Sequence, residues 1–285
     1  MDGVLQLDTL AAALTHESFE VDTKDREDHT FSGIMFDVAC QSLPRGPLEY
    51  LEVQAVAVRG KLGPMTVWTT PGGHQGKQED KESWTLLHEA EHQASKRKFV
   101  ELPFDQPVQL RVGERCGLYV HSGLSGDEGI VYDDQHQRLT HEDPNFKVFP
   151  GRAHLSWTPF GRRGMWWGSP WRREREFVGR VRYGVRWKMW TPQVHAEFPP
   201  PFRRAVLTML LGTRRAESLL YLLDEELVFF IMNKCWWSDF GVEDAGRGSS
   251  RAAARKRRLF VESDDEAAEA SSSATSRRKG KRRQR

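Results

Sequence analysis

From residue 30 onwards, apolar and polar residues alternate in short runs that are rich in β-branched and aromatic side chains. Ile34, Phe36 and Val38 alternate with Met35 and Asp37, which is the two-residue period of a strand. Glycine and proline separate the runs. Nine strands are predicted, namely FSGIMFDVAC, LEYLEVQAVAV, MTVWTT, SWTLLHEAE, KFVELPF, VQLRV, CGLYVHS, GIVYD and FKVF. The series predicts a mainly β fold, an antiparallel β-sandwich or jelly roll.

The same period continues in two further places. In LEYLEVQAVAV, the side chains of Val53, Ala55 and Ala57 oppose those of Gln54 and Val56. The stretch 177–190 alternates well enough to form one or two strands that close the sheet. Residues 1–29 differ, because Leu5, Leu7, Leu10 and Leu14 recur at mixed spacing. We expect a short amphipathic helix there, in a loosely attached lead-in segment.

Two helices are predicted after the prolines at 199–201. In PFRRAVLTMLLGTRR, the apolar face would contain Val206, Met209 and Leu210. In LYLLDEELVFFIMNKCWW, Asp224 is a suitable N-cap. The apolar stripe of this second helix would consist of Leu227, Phe230, Ile231 and Cys235. The predicted domains are therefore a lead-in at 1–29, a sandwich at 30–200, a helical segment at 201–242 and a tail at 243–285.

Charge separates the tail from the rest of the chain. Residues 247–285 contain 13 Lys and Arg against five acids, a net charge of +8, which leaves −6 for residues 1–246. Low hydrophobicity and high charge predict a disordered tail. Three widely spaced cysteines, Cys40, Cys116 and Cys235, predict neither a disulfide framework nor a cysteine zinc site. We expect a chain that is not secreted and does not span a membrane.

The tail has the pattern of a nuclear localisation signal. Its two basic clusters are Arg255, Lys256, Arg257 and Arg258, then Arg277, Arg278, Lys279, Lys281, Arg282 and Arg283. Such clusters are recognised by import receptors, so a nuclear protein is predicted. Ser263 precedes three acids and is a candidate phosphorylation site. The alternative is a tail that only keeps the chain soluble or that contacts nucleic acid.

The segment His88-Glu89-Ala90-Glu91-His92 satisfies the H-E-x-x-H pattern of zinc hydrolases. That chemistry needs both histidines on one face of a helix, whereas the surrounding residues predict a strand. Residues four apart on a strand are separated by about 13 Å, which is too far to share one metal. We therefore expect a solvated strand end and keep His88 and His92 only as weak metal candidates.

Residues 151–200 contain six of the ten tryptophans, together with many arginines. Flat rings and guanidinium groups could bind a peptide or nucleic acid. The candidates are Trp166, Trp167, Trp171, Arg172 and Arg173, with Trp166 and Trp167 in a glycine-flanked loop. The alternative is a sheet with an aromatic inner face and an arginine-bearing outer face.

The stretch 31–120 resembles β-sandwich modules of uncharacterised proteins from algae and other protists. The resemblance is carried by GIMFDV, VWTTPG and VELPF-x3-VQLRVGERCGLYV. In general pattern it is also similar to PHR-type and galactose-binding-like jelly rolls. These bind peptides or glycans, and the resemblance concerns the fold without implying any catalytic residue.

A second resemblance is to the first helix of an F-box, which reads L-P-x-E-L-x-x-x-I-L. Leu223, Glu226, Leu227 and Ile231 occupy places of that pattern, although Asp224 replaces its proline. The resemblance implies a substrate adaptor that recruits a ubiquitin-ligase scaffold. A helix that only packs on the sandwich would explain Leu227 and Ile231 equally well.

No other catalytic motif occurs, and there is no G-x-S-x-G or Walker A sequence. We therefore predict a non-catalytic interaction protein without a cofactor, which binds a peptide or protein partner through the sandwich loops. The alternatives are the F-box-like adaptor, a nucleic-acid binder and a zinc hydrolase.

Overall fold

The computed structural model describes residues 14–26, 29–41, 47–163 and 168–241. Within them, two antiparallel sheets form a β-sandwich, which confirms the predicted fold class. One sheet contains four strands and the other contains nine. No helix among the described residues is long and apolar enough to cross a lipid bilayer.

The strands follow the predicted runs closely. Their bounds are β1 Leu14–Asp22, β2 His29–Phe31, β3 Gly33–Cys40, β4 Leu48–Gly60, β5 Gly63–Pro71, β6 Thr85–His92, β7 Ser95–Leu110, β8 Arg115–Ser122, β9 Ile130–Asp133, β10 His141–Glu142, β11 Phe146–His154, β12 Trp171–Phe177 and β13 Arg180–Lys188. The smaller sheet has the strand order β1-β13-β4-β7, and the larger has the order β2-β9-β12-β11-β3-β8-β5-β6, with β10 paired to β11.

The predicted strand KFVELPF and the first three residues of VQLRV belong to one long strand, β7. It is the last strand of its sheet, where prolines such as Pro103 and Pro107 are tolerated.

The lead-in prediction was wrong for β1, which pairs along its whole length with β13. Leu14, the last of the predicted helix leucines, begins this strand, and Leu5, Leu7 and Leu10 lie outside the described residues. Two acidic residues of β1 lie opposite arginines of β13: Glu20 is opposite Arg182 and Asp22 is opposite Arg180. Arg180 forms ion pairs with both Asp22 and Glu20, and such cross-strand pairs help a polar segment to form an edge strand.

The alternation predicted for β4 was wrong after Val53. A bulge in the pairing with β7, between Val53 and Ala55, changes the face of the following residues. Val56 and Val58 therefore join Val53 in the main core. A single extra residue reverses every later side chain, and no local signal in the sequence indicates it.

The larger sheet is covered on both faces. Its inner face contributes Ile34, Phe36 and Val38 of β3 to the main core between the sheets. On its outer face, Met35 of the same strand belongs to a second, smaller cluster with Trp84, Tyr119, Phe160 and Trp171. The loops that contain Trp84 and Phe160 therefore lie over the outer face of this sheet.

Helix α1 (Pro200–Gly212) and helix α2 (Glu225–Lys234) pack on the main core. Asp224 caps α2 as predicted, since its Oδ1 accepts a hydrogen bond from the backbone N–H of Leu227 at 2.7 Å. In α1 the buried residues are Phe202 and Val206, with Met209 and Leu210 partly buried against the core.

The predicted stripe of α2 was wrong. Val228 and Met232 are buried, whereas Leu227 and Phe230 are 45% and 60% exposed. The orientation of α2 is fixed by Asn233. The Oδ1 atom of Asn233 accepts a hydrogen bond from the backbone N–H of Trp190 at 2.7 Å, and its Nδ2–H donates to the backbone carbonyl of Trp190 at 2.8 Å. These two bonds tie α2 to the segment that follows β13.

Candidate ligand-binding site

The loop 72–84, between β5 and β6, is held over the outer face of the larger sheet by a buried carboxylate. Oδ1 of Asp37 accepts hydrogen bonds from the backbone N–H of His74 at 2.8 Å and from its Nδ1–H at 2.7 Å. Gly73 has φ +100°, and a Cβ there would lie 2.8 Å from Asp37 Oδ2, so the loop needs glycine at this position. Farther along, Trp84 Nε1–H donates to the Lys77 carbonyl at 2.9 Å.

A second loop, 155–163, is held by three buried polar side chains. His154 Nε2–H donates to the Gly161 carbonyl at 2.9 Å, so its Nδ1 accepts from the Tyr119 hydroxyl at 2.6 Å. His121 Nε2–H donates to the Ser156 carbonyl at 2.8 Å. Burial lowers the pKa of His121 to about 4 and that of His154 to about 3, so both imidazoles are neutral.

Two cross-strand pairs of β11 and β12 lie between these loops. His154 is paired with Trp171, and their rings stack with centroids 3.9 Å apart. The next pair on the same face is Arg152 with Arg173, two residues farther along each strand. Two arginines therefore occupy directly opposite positions of the paired strands, next to a stacked aromatic pair.

The pairing of Arg152 with Arg173 follows from irregularities in β11 and β12. The register of β11 shifts between Gly151 and Arg152 against β12, and between Phe149 and Arg152 against β3. A Cβ on Gly151 would lie 1.7 Å from the carbonyl oxygen of Met35, so only glycine fits. On β12, Glu174 is the unpaired residue and has φ +59°. Bulges redirect side chains, and here the redirected residues include Arg152.

A cavity of about 440 Å³ opens above the Arg152–Arg173 pair. It is lined by Gly76, Gln78, Glu79, Asp80, Arg152, Arg162, Ser169, Trp171 and Arg173. Arg162 Nε contacts Glu79 at 3.3 Å, and Asp80 accepts a hydrogen bond from the Ser83 hydroxyl. The volume falls in the range of about 300–1,000 Å³ that is typical of ligand sites.

The structure brings only part of the predicted Trp/Arg set to this cavity. Trp171 and Arg173 line it. Arg172 does not, and its Nη1–H donates to the Ser169 carbonyl at 3.1 Å. Trp166 and Trp167 lie outside the described residues. Arg152 and Gln78 were not predicted from the sequence. Arg152 reaches the cavity through the register of β11 with β12, and Gln78 reaches it through the fold of the loop 72–84.

The arginines of β13 have a different setting. Arg180 Nε contacts Asp22 at 2.6 Å, Arg182 Nη2 contacts Glu101 at 3.1 Å and Arg186 Nη2 contacts Glu52 at 3.2 Å. Val181, Tyr183, Val185 and Trp187 of the same strand are buried in the main core. Strand β13 therefore has the alternative arrangement, with an apolar inner face and an arginine-bearing outer face.

The histidines of the H-E-x-x-H pattern lie on strand β6, as predicted. The argument that they are too far apart was wrong, because their Nε2 atoms are 2.9 Å apart. His88 is buried, and its Nδ1–H donates to the Pro103 carbonyl at 2.9 Å, which leaves its Nε2 to accept from His92. In the described part of the chain, no group of three or more His, Cys, Asp or Glu side chains is arranged to hold a metal ion.

The F-box-like residues lie at the start of α2 and just before it. Leu223 and Ile231 are half-buried, whereas Glu226 and Leu227 are exposed. Leu227 belongs to an exposed apolar surface, defined here as Leu207, Leu211, Leu219, Tyr221, Leu222, Leu227 and Phe230. Among the described residues, seven of the ten exposed large hydrophobic side chains fall in this set, so the surface is concentrated in one region of the chain.

Both basic clusters and Ser263 lie outside the described residues. No protein-family model matches the chain, and no curated protein matches it either. The resemblances to jelly-roll modules and to the F-box therefore rest on the sequence motifs alone and stay predictions.

Proposed function

We propose that the chain is a non-catalytic interaction module, which binds a peptide or protein partner at the loop face of the larger sheet. The observation that supports this proposal is the cavity of about 440 Å³ between the loops 72–84 and 155–163. Both loops are fixed by buried hydrogen bonds, so the walls are preorganised for a ligand. Aromatic and arginine side chains such as Trp171 and Arg173 supply much of the binding energy at protein interfaces.

The side chains at the cavity suit recognition. Its lining consists of arginines, carboxylates, an amide, a hydroxyl and the edge of a buried tryptophan, all groups that form hydrogen bonds or ion pairs. The two histidines behind it, His121 and His154, hold the loop 155–163 through carbonyl acceptors. Their role in this proposal is structural.

Affinity capture from nuclease-treated native lysate tests the proposal with the full chain. In Ser169→Trp, a large side chain on the cavity wall should fill the cavity and abolish capture of the partner. Ser125→Trp is the matched control, because Ser125 is also exposed but does not line the cavity. Equal capture by both variants, or capture that disappears with nuclease, would contradict the proposal.

A second function, the F-box-like substrate adaptor, is favoured by the exposed apolar surface of the helical region. Leu219 and Leu222 are 89% and 82% exposed, and soluble proteins rarely expose contiguous apolar areas without a partner. The partner in this function is a ubiquitin-ligase scaffold. The double variant Leu227→Asp, Phe230→Asp should abolish co-purification of such a scaffold without unfolding the chain, whereas the exposed control Thr208→Asp should retain it. Co-purification that is unchanged in the double variant would contradict the adaptor function.

We propose further that the protein is nuclear and that residues 247–285 suffice for import. The support is the net charge of +8 in this segment against −6 in the rest of the chain. A fluorescent reporter fused to the segment should accumulate in the nucleus, and alanine at both clusters should abolish this. An even distribution of the reporter would favour nucleic-acid or surface binding by the tail.

A further inference from the structure

Arg152 and Arg173 are like charges at directly opposite positions of two paired strands. Such pairs destabilise a sheet unless something compensates them. Arg152 is half-buried, and its pKa is lowered by burial and by the charge of Arg173. In the described part of the chain, no carboxylate lies within ion-pair distance of either guanidinium, whereas each of Arg180, Arg182 and Arg186 has one.

The carboxylates on the cavity wall are already engaged. Glu79 contacts Arg162, and Asp80 accepts from the hydroxyl of Ser83. The two arginines are therefore left without a carboxylate partner among the described residues, and a ligand that brings acceptor oxygens into the cavity would supply one.

We propose that Arg152 and Arg173 together bind one oxyanion group, a carboxylate or a phosphate, carried by a peptide segment in the cavity. This inference rests on the proposed function and names the chemistry of its ligand. Guanidinium groups form paired hydrogen bonds to both kinds of oxyanion, and an anion between the two would convert their repulsion into attraction.

A peptide is favoured over a nucleic acid by the charge of the surroundings. Glu79 and Asp80 lie on the wall of the same cavity, and residues 1–246 have a net charge of −6. A single acidic side chain of a peptide, placed between the two arginines, is compatible with these acidic surroundings. A polyanionic backbone would have to place successive phosphates next to these carboxylates, which costs free energy.

The test is a titration of the full chain with inorganic phosphate and, separately, with acetate, followed by the arginine Nε–Hε signals in NMR spectra. Arg152→Gln and Arg173→Gln assign the two signals. We expect both to shift saturably with at least one of the anions, and the dissociation constant to rise about tenfold or more in either variant. A preference between phosphate and acetate then identifies the oxyanion of the natural peptide.

Arg180 and Arg186 are internal controls, because their carboxylates already occupy them. Equal shifts at all arginines, or no shift at Arg152 and Arg173 with either anion, would overturn the proposal. Tight binding of a single-stranded oligothymidylate that is lost in both variants would overturn the choice of a peptide. The titration needs no partner protein, so its result does not depend on lysate capture. Failure of the oxyanion site and failure of the proposed function can therefore be distinguished.

Discussion

Two groups of arginines in this sandwich have opposite surroundings. On β13, Arg180, Arg182 and Arg186 alternate with buried apolar residues, and each contacts a carboxylate on another strand of the same sheet. On β11 and β12, Arg152 and Arg173 lie opposite each other without such a partner in the described structure. Arginine content alone therefore does not indicate a binding surface. The location of the nearest carboxylate separates a solvated sheet face from a ligand site.

The largest effect is expected at Gly151, which directly precedes Arg152 at the irregular point of β11. In Gly151→Val, the new side chain would collide with the Met35 carbonyl, so the strand register or the fold must change. We expect a loss of more than about 4 kcal/mol in the free energy of unfolding, measured by urea denaturation. Gly113→Ala is the control, since Gly113 has φ +86° but a Cβ there would meet no atom within 4 Å, and should cost about 1 kcal/mol. Similar losses in the two variants would show that the bulge is not needed.

Acid should destabilise the cavity side of the sandwich through His121 and His154. Their folded-state pKa values, about 4 and about 3, lie below the unfolded value of 6.5, so the unfolded chain binds protons first as the pH falls. The stabilisation from the neutral histidines is fully present above pH 6.5 and decreases between 6.5 and the folded pKa values, by about 1.4 kcal/mol per pH unit for each histidine. Urea denaturation from about pH 8 to about pH 4 measures this. His121→Gln should reduce the slope, and an unchanged slope would exclude His121 as its cause.

A smaller change in stability is expected on the face of β13 whose arginines form ion pairs. Glu52 is buried and contacts Arg186 at 3.2 Å. Glu52→Gln removes the charge while keeping the shape, so it should lower the free energy of unfolding by about 1 kcal/mol, an amount limited by the partial exposure of Arg186. Thermal unfolding measures this change. An increase in stability would mean that the ion pairs of the β13 arginines do not stabilise the fold.

The sequence predicts most of the fold and little of the site. Strand periodicity, turn residues and the Asp224 cap are local signals, and the structure confirms them. The bulge after Val53, the pairing of β1 with β13 and the choice of Val228 for the core depend on contacts between distant segments. Local periodicity does not contain that information.

The candidate site shows the same limit. Trp171 and Arg173 can be identified from the sequence because they belong to a region of unusual composition. Arg152 lies at the start of the same region but apart from its other arginines, and only the register of β11 with β12 places it opposite Arg173. The approach of His88 to His92 was missed because a strand spacing gives backbone distances, whereas these side chains lean towards each other.

The sign of a stability change tests the central comparison most directly. Arg173→Gln and Arg186→Gln remove the same charge from the two groups of arginines, and both are compared with the unchanged chain by urea denaturation in a buffer without phosphate or carboxylate. Arg173→Gln should raise the free energy of unfolding by a few tenths to about 1 kcal/mol, because it relieves the repulsion with Arg152. Arg186→Gln should lower the free energy of unfolding, because Glu52 loses its partner. A decrease for Arg173→Gln equal to that for Arg186→Gln would contradict the account.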